Sequence, residues 1–360
     1  MFGVALPGLR FTVHGYSPMK MWFRWLLAVA LLVALLVIGW AVGWLAHAPP
    51  PVRSTTIASL PELAHRPDEP ISPLPDPIQS LRLDPQVVEL GHRLFNDVRL
   101  SLDNSLSCAT CHPLDKGGAD GLPFSVGVGG AVGGINAPSV LTAALNFRQF
   151  WDGRAATLEE QAGGPILNPI EMASNWPLVI ERLGADAEIK LLFEQLYPSG
   201  LTPANIRSAI ADFERSLPRS SRFDRWLKGD DSAISAAELT GYRLFKRHGC
   251  SACHQGVNVG GNLYQRFGIM EDYFASKATI TEADLGRYNV TRNEEDRHLF
   301  KVPSLRNIAL TAPYFHDAST PSLEQAVAIM GRYQLGVALP DADVALIAAF
   351  LKSLTAEAQP

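Results

Sequence analysis

The first long feature of the chain is an apolar run with no polar face: Trp22 to Leu45 reads WFRWLLAVALLVALLVIGWAVGWL, broken only by Arg24 near its start. About 20 consecutive apolar residues cross a bilayer as one helix, so this run predicts a membrane anchor. Trp22, Trp25, Trp40 and Trp44 stand at its two ends, where amphipathic rings suit the membrane boundary. Arg10, Lys20 and Arg24 come before the core of the run and the first acidic residue is Glu62, which places the N-terminus in the cytoplasm and the rest of the chain outside it. Ala46-His47-Ala48 also fits a signal-peptide cleavage site, which would release a soluble exported chain, but Pro49 directly after it disfavours cleavage. Residues 49–77 then hold nine prolines and no apolar periodicity, the composition of a stiff, extended spacer.

From residue 78 to 360 the spacing becomes that of short amphipathic helices joined by long glycine- and proline-bearing loops, and the class is mainly α. Asp84-Pro85 reads as an N-cap with proline at the first helical position, and Thr157 with Glu160, Ser235 with Glu238 and Ser322 with Gln325 have capping-box spacing. After Thr202-Pro203, an apolar stripe of Ile206, Ile210, Phe213 and Leu217 marks another helix, and Val344, Ile347, Phe350 and Leu351 mark the last. A weak repeat is visible too, because LGHRLF and TGYRLF each lie upstream of a cysteine pair, suggesting two related halves joined near 228–235. With 47% hydrophobic residues the chain is not disordered, and a net charge of −5 argues against a nucleic-acid partner.

All four cysteines fall in two identical patterns, Cys108-Ala-Thr-Cys111-His112 and Cys250-Ser-Ala-Cys253-His254. This is the c-type haem attachment signature: two thiols add to the two vinyl groups of one porphyrin and the adjacent histidine ligates the iron. A zinc site built from four thiolates would explain the cysteines but neither histidine, and a thioredoxin-like pair would need a βαβ context that neither flank offers. No histidine lies between His112 and His248, so the first iron is expected to keep an open sixth position, where a peroxide can bind. For the second, the exported part offers only Met172, Met270 and Met330 as thioethers.

Together with these two sites, the blocks INAPSVLTAALNFRQFWDGR, LEEQAGGPILNPIEM and FKVPSLRNIALTAPYFHDASTPSLEQAVAIMGRYQLG follow in order. In them the chain from about Leu81 to Leu354 resembles the bacterial di-haem cytochrome c peroxidase family, which also contains the methylamine dehydrogenase maturase. The resemblance implies two cytochrome c-like haem domains with long loops: an anchor at 1–48, a Pro-rich linker at 49–77, a peroxidatic haem domain at 78–230 and an electron-transfer haem domain at 231–360. It implies that Met330 is the second iron's axial ligand, that Glu171 is the general acid and base with Gln161 beside it, and that Trp151 lies between the haems. It further implies a calcium ion at Asn136, Thr311 and Pro313, pairing of the chain with a second copy, and a small c-type cytochrome or copper protein as electron donor. Where the maturase branch has a tyrosine, this chain has Met330. Electrons would enter at the Cys250/Cys253 haem and reduce hydrogen peroxide at the Cys108/Cys111 haem, in the periplasm and anchored to the inner membrane. A pure electron carrier and a maturase-like oxidase of a partner protein are the alternatives.

One position departs from the family. Many members carry a histidine on the loop after the first haem site that ligates that iron until the second is reduced, and the matching residue here is Val128 of FSVGVGGAVGG. The glycines of this loop read as a mobile cover over the distal pocket.

Overall fold

The helix starts read from the sequence are capped N-termini in the structure, a computed structural model that describes residues 66, 68–76, 80–275 and 277–357. The expected anchor and the cleavage motif lie outside the described residues. Helix α1 (Pro85–Phe95) begins on Asp84, whose carboxylate accepts from Gln86 N at 2.9 Å. Its successors are α2 (Cys108–Cys111), α3 (Leu158–Leu167), α4 (Trp176–Gly184), α5 (Ala187–Leu196) and α6 (Pro203–Ser216). Then come α7 (Arg222–Leu227), α8 (Ala236–Arg247), α9 (Tyr288–Thr291), α10 (Leu323–Leu335) and α11 (Asp341–Lys352). Thr157, Thr202, Ser235 and Ser322 each accept a backbone N–H in the first turn of α3, α6, α8 and α10. The class is mainly α: the named strands among the described residues are β1 (Tyr264–Arg266) and β2 (Leu299–Lys301), paired antiparallel with Tyr264 opposite Lys301. No helix among these residues is long and apolar enough to cross a membrane.

The described residues fall in one compact unit that contains two large hydrophobic cores. Val87, Leu90 and Phe95 of α1 meet Ile206, Ile210 and Phe213 of α6 in the first. In the second, Tyr242 and Phe245 of α8 meet Ile347, Phe350 and Leu351 of α11. The same device closes both crossings. A Cβ on Gly91 would overlap the carbonyl oxygen of Ala209 and crowd the Cβ of Phe213, and one on Gly241 would overlap that of Leu346 and crowd Phe350. These glycines occupy matching places in LGHRLF and TGYRLF, so the repeat reflects one helix crossing used twice. Replacing Gly241 by alanine is expected to destabilise the protein by about 1–3 kcal/mol through overpacking, although helix propensity alone favours alanine by up to ~1 kcal/mol. A urea midpoint at or above wild type would contradict this.

Phe223, Trp226 and Leu227 of α7 belong to the second core, whereas Leu217 belongs to the first. The end of the proline-rich stretch is no free spacer, because Ile71 and Leu74 are completely buried and Ile71 joins the second core. Glu69 accepts hydrogen bonds from Tyr242 and Lys246 at 2.6 and 2.7 Å, and Pro70 O accepts from Gly256 N at 2.8 Å. Proline content hid two apolar anchors spaced for an extended strap.

A second repeat runs from Asn136 into α3 and again, 165 positions later, from Lys301 into α10. Short 3-10 turns at Ala143–Leu145 and Ile308–Leu310 match, as do the bridges Gln149 to Ala155 and Tyr314 to Thr320. Phe150 and Phe315 both hold left-handed backbone, with φ of 69° and 71°. The pairing sets Trp151 against His316 and Asn136 against Lys301.

Candidate active site

Each Cys-x-x-Cys-His segment is a single helical turn, α2 in the first half and a 3-10 turn (Cys250–Ala252) after α8 in the second. Both are closed by the same bond, from the histidine N–H to the carbonyl of the first cysteine, at 2.9 Å for His112 and 3.0 Å for His254. Positions i and i+3 of such a turn share a face, which presents both thiols of a pair to one ligand. Burial pushes the Cys108 thiol up to about 12 and the Cys250 thiol up to about 11. Among the described residues the one cluster of three or more potential metal-ligating groups is Asp284, His316 and Asp317, so the two cysteine pairs do not converge on a shared zinc ion.

Burial lowers the pKa of both histidines, so each presents a neutral imidazole. For His254, set against the backbone of Val259 and Pro303, it falls to about 4. His112 Nδ1 lies 3.0 Å from Gly118 O; donating there, the ring leaves its Nε2 lone pair for a metal. His254 Nδ1 is buried without a regular hydrogen bond. His248, the other histidine near the second pair, is engaged with Asp343 at 2.8 Å.

A mainly apolar cavity of about 370 Å³ opens beside the second turn, lined by Cys250, Cys253 and His254 on one side and Met330 on another. Of Met172, Met270 and Met330, only Met330 reaches it. Met172 is buried in the first core and Met270 is exposed against Gly336. Trp151, Asn136, Thr311 and Pro313 line the same cavity. The Trp151 indole N–H donates to Asn136 O at 2.9 Å and its ring meets His316 edge-on at 6.3 Å. Asn136 spends its amide donors on the carbonyls of Leu122 and Pro123, leaving Oδ1 for a cation.

Glu171 sits in the first half on a tight turn that ends α3. Proline occupies the second place of Asn168-Pro-Ile-Glu171, and Glu171 N donates to Asn168 O at 3.0 Å, as a proline-initiated turn requires. The Asn168 amide donates to Glu171 Oε1 at 2.7 Å. Burial raises the carboxyl above the ordinary range, against the pull of Asn168 and Arg154, and its charge is felt at the Cys111 thiol. The glycine-bearing loop docks directly on this turn: Val128 N donates to Glu171 O at 2.8 Å, and a Cβ on Gly127 would overlap Ile170 O. The loop is thus pinned at Gly127 and Val128, while a Cβ on Gly129, Gly130 or Gly134 would meet open space. Gln161 is half-buried on α3, its amide without a hydrogen bond among the described residues.

A family model described as di-haem cytochrome c peroxidase matches residues 85–232. The chain is 51% identical to cytochrome c peroxidase Ccp of Escherichia coli over 81% of its own length and 62% of that protein's. It is 44% identical to cytochrome c551 peroxidase of Nitrosomonas europaea, over 78% of this chain and 85% of the other. The chain belongs to the di-haem cytochrome c peroxidase family. Among solved structures, a MauG-like protein associated with microbial copper homeostasis superposes with a TM-score of 0.68 at 28% identity, covering 83% of this chain and 95% of its own.

Membership in this peroxidase family makes the chain an oxidoreductase and implies two haem c groups. The residues present fit such groups: paired thiols on single turns, half-buried neutral histidines, and a cavity lined by a thioether. Several participants escaped the sequence reading. Asn168, which holds Glu171, was signalled only by the Asn-Pro turn. Lys277 places its ammonium 2.6 Å from a carboxylate oxygen of both Asp284 and Asp317, beside His316, so the chain supplies its own cation to that cluster. The 165-residue repeat would have pointed to His316 and Lys301.

Proposed function

We propose that the chain reduces hydrogen peroxide to two waters, consuming two protons and two electrons from a small c-type cytochrome or copper protein. When bound, the two haem c groups would carry those electrons, received at Cys250/Cys253 and delivered to peroxide at Cys108/Cys111. His112 and His254 would each ligate one iron, with Met330 completing the second. Glu171 would accept the proton from the near oxygen of peroxide and return it to the departing oxygen as water leaves. Gln161 would orient the peroxide, and Trp151 would sit between the two centres as an aromatic bridge. Asn136, Thr311 and Pro313 would hold a calcium ion along the same cavity, with oxygen donors suited to a hard cation. The run Trp22–Leu45 would hold the enzyme to the inner membrane, facing the periplasm, as a pair of identical chains.

The observation that carries this reading is the half-buried Glu171 carboxyl, raised in pKa and held by Asn168 where its charge reaches Cys111. The test is donor oxidation by peroxide: two reduced donors consumed per peroxide are expected. No consumption by protein carrying both haems, before or after pre-reduction, would overturn it. Since Val128 stands where many relatives have a ligating histidine, the fully oxidised protein is expected to react without a prior electron. A stopped-flow trace silent until one electron is added would contradict that.

A further inference from the structure

Lys301 ends strand β2 and is 6% exposed, deep for an ammonium group. Its backbone is fixed on two sides, by the pairing of β2 with β1 and by a hydrogen bond from its N–H to Trp151 O at 2.8 Å. Its side chain is committed to nothing: among the described residues no carboxylate forms an ion pair with it and no acceptor takes its ammonium protons. The other buried cation on this cavity, Arg306, is satisfied by Asp224 at 2.8 and 2.9 Å. Burial alone acts on Lys301, lowering its pKa to about 8. An unpaired charge at this depth is costly, and native interiors keep one where a counter-charge arrives. Lys301 lines the cavity that also holds Cys250, Cys253, His254 and Met330. A porphyrin tethered there brings two propionate carboxylates, and among the described residues no carboxylate lines that cavity.

We propose that Lys301 pairs with a propionate of the haem held by Cys250 and Cys253, which rests on the reading above that this haem is bound there. The ammonium would cancel that propionate's negative charge, from a strand whose backbone is tied to Trp151 by the Lys301 N–H. A nearby cation favours the reduced iron, which carries one positive charge less, so Lys301 raises the potential of this centre and helps it collect electrons. Lys301 is then a positioning residue acting through the porphyrin edge, and its repeat counterpart, Asn136, stands on the other side of Trp151.

The test is a spectroelectrochemical titration of the protein carrying both haems, compared with Lys301→Met and Lys301→Arg. The methionine variant is expected to shift the second centre to lower potential, leaving the first in place, and the arginine variant to restore most of the shift. An unchanged second potential in Lys301→Met overturns the proposal. Covalent haem content is measured on the same samples, and fewer than two haems per wild-type chain would instead refute the reading on which it rests. Should the methionine variant fail to fold, wild-type protein grown with nitrogen-15 lysine decides. Its redox-difference infrared spectrum should show an isotope-sensitive ammonium band when the second centre is stepped, and a spectrum without one is equally fatal.

Discussion

Glu171→Gln is expected to lower peroxide turnover by about 10²–10⁴-fold, the range for a positioned general acid and base, while the proposed donor still reduces the protein. The substitution keeps the volume and keeps an oxygen for the Asn168 amide, and Val128 bonds to the backbone carbonyl of residue 171, so the turn survives. What is lost is the proton acceptor. The carboxylate form is the competent one for peroxide deprotonation, so activity should fall as pH drops through the Glu171 pKa. Burial sets that pKa above the ordinary value of about 4.3. The acid limb of kcat/KM should therefore lie above that point in the wild type and vanish in the variant. Steady-state kinetics across pH measures both effects. A pure electron carrier would show neither, and a turnover loss below tenfold would remove Glu171 from this role.

Asp224→Asn costs about 3–5 kcal/mol of stability, because it leaves a guanidinium buried without its partner. Asp224 is fully buried and Arg306 almost so; two parallel hydrogen bonds join them, and Arg306 Nε also donates to Val257 O at 2.6 Å. Asp224 further accepts from Ser221 N and Oγ at 2.7 Å and from Leu74 N at 2.8 Å. One carboxylate thus joins α7, the loop after β2 that carries Arg306, and the strap at 68–76. Burial opposes its ionisation, yet Arg306 and the Ser221 bonds outweigh burial and hold the pKa below the usual value. A depressed folded pKa contributes stability that is complete above the unfolded value of about 3.9 and is lost as pH falls through the folded one. Urea unfolding at pH 7 should show the full deficit, shrinking in acid. Removing both charges, with Asp224→Leu and Arg306→Met, should recover part of the loss. An Asp224→Asn midpoint equal to wild type would show that the pair does not hold the strap.

What was legible in the sequence was local. The caps at Asp84, Thr157, Ser235 and Ser322 are short-range hydrogen bonds written in adjacent letters, and each opens a helix. The stripes of α6 and α11 announce buried faces because period and burial coincide. Cys-x-x-Cys-His is likewise complete within five residues. What stayed hidden depends on partners far along the chain. Ile71 looked like part of a linker because its core lies more than 150 residues away. Gly91 and Gly241 are unremarkable in sequence, and only the helix crossing over them excludes a side chain. Lys301 reads as an ordinary strand lysine until burial without an acceptor is seen.

Trp151 and His316 hold matching places in the two long repeats, and their rings meet. Phe267, Phe274 and Phe300 hold the rest of the His316 ring, so loss of the first copy would bare one edge of it to water and leave the remainder packed.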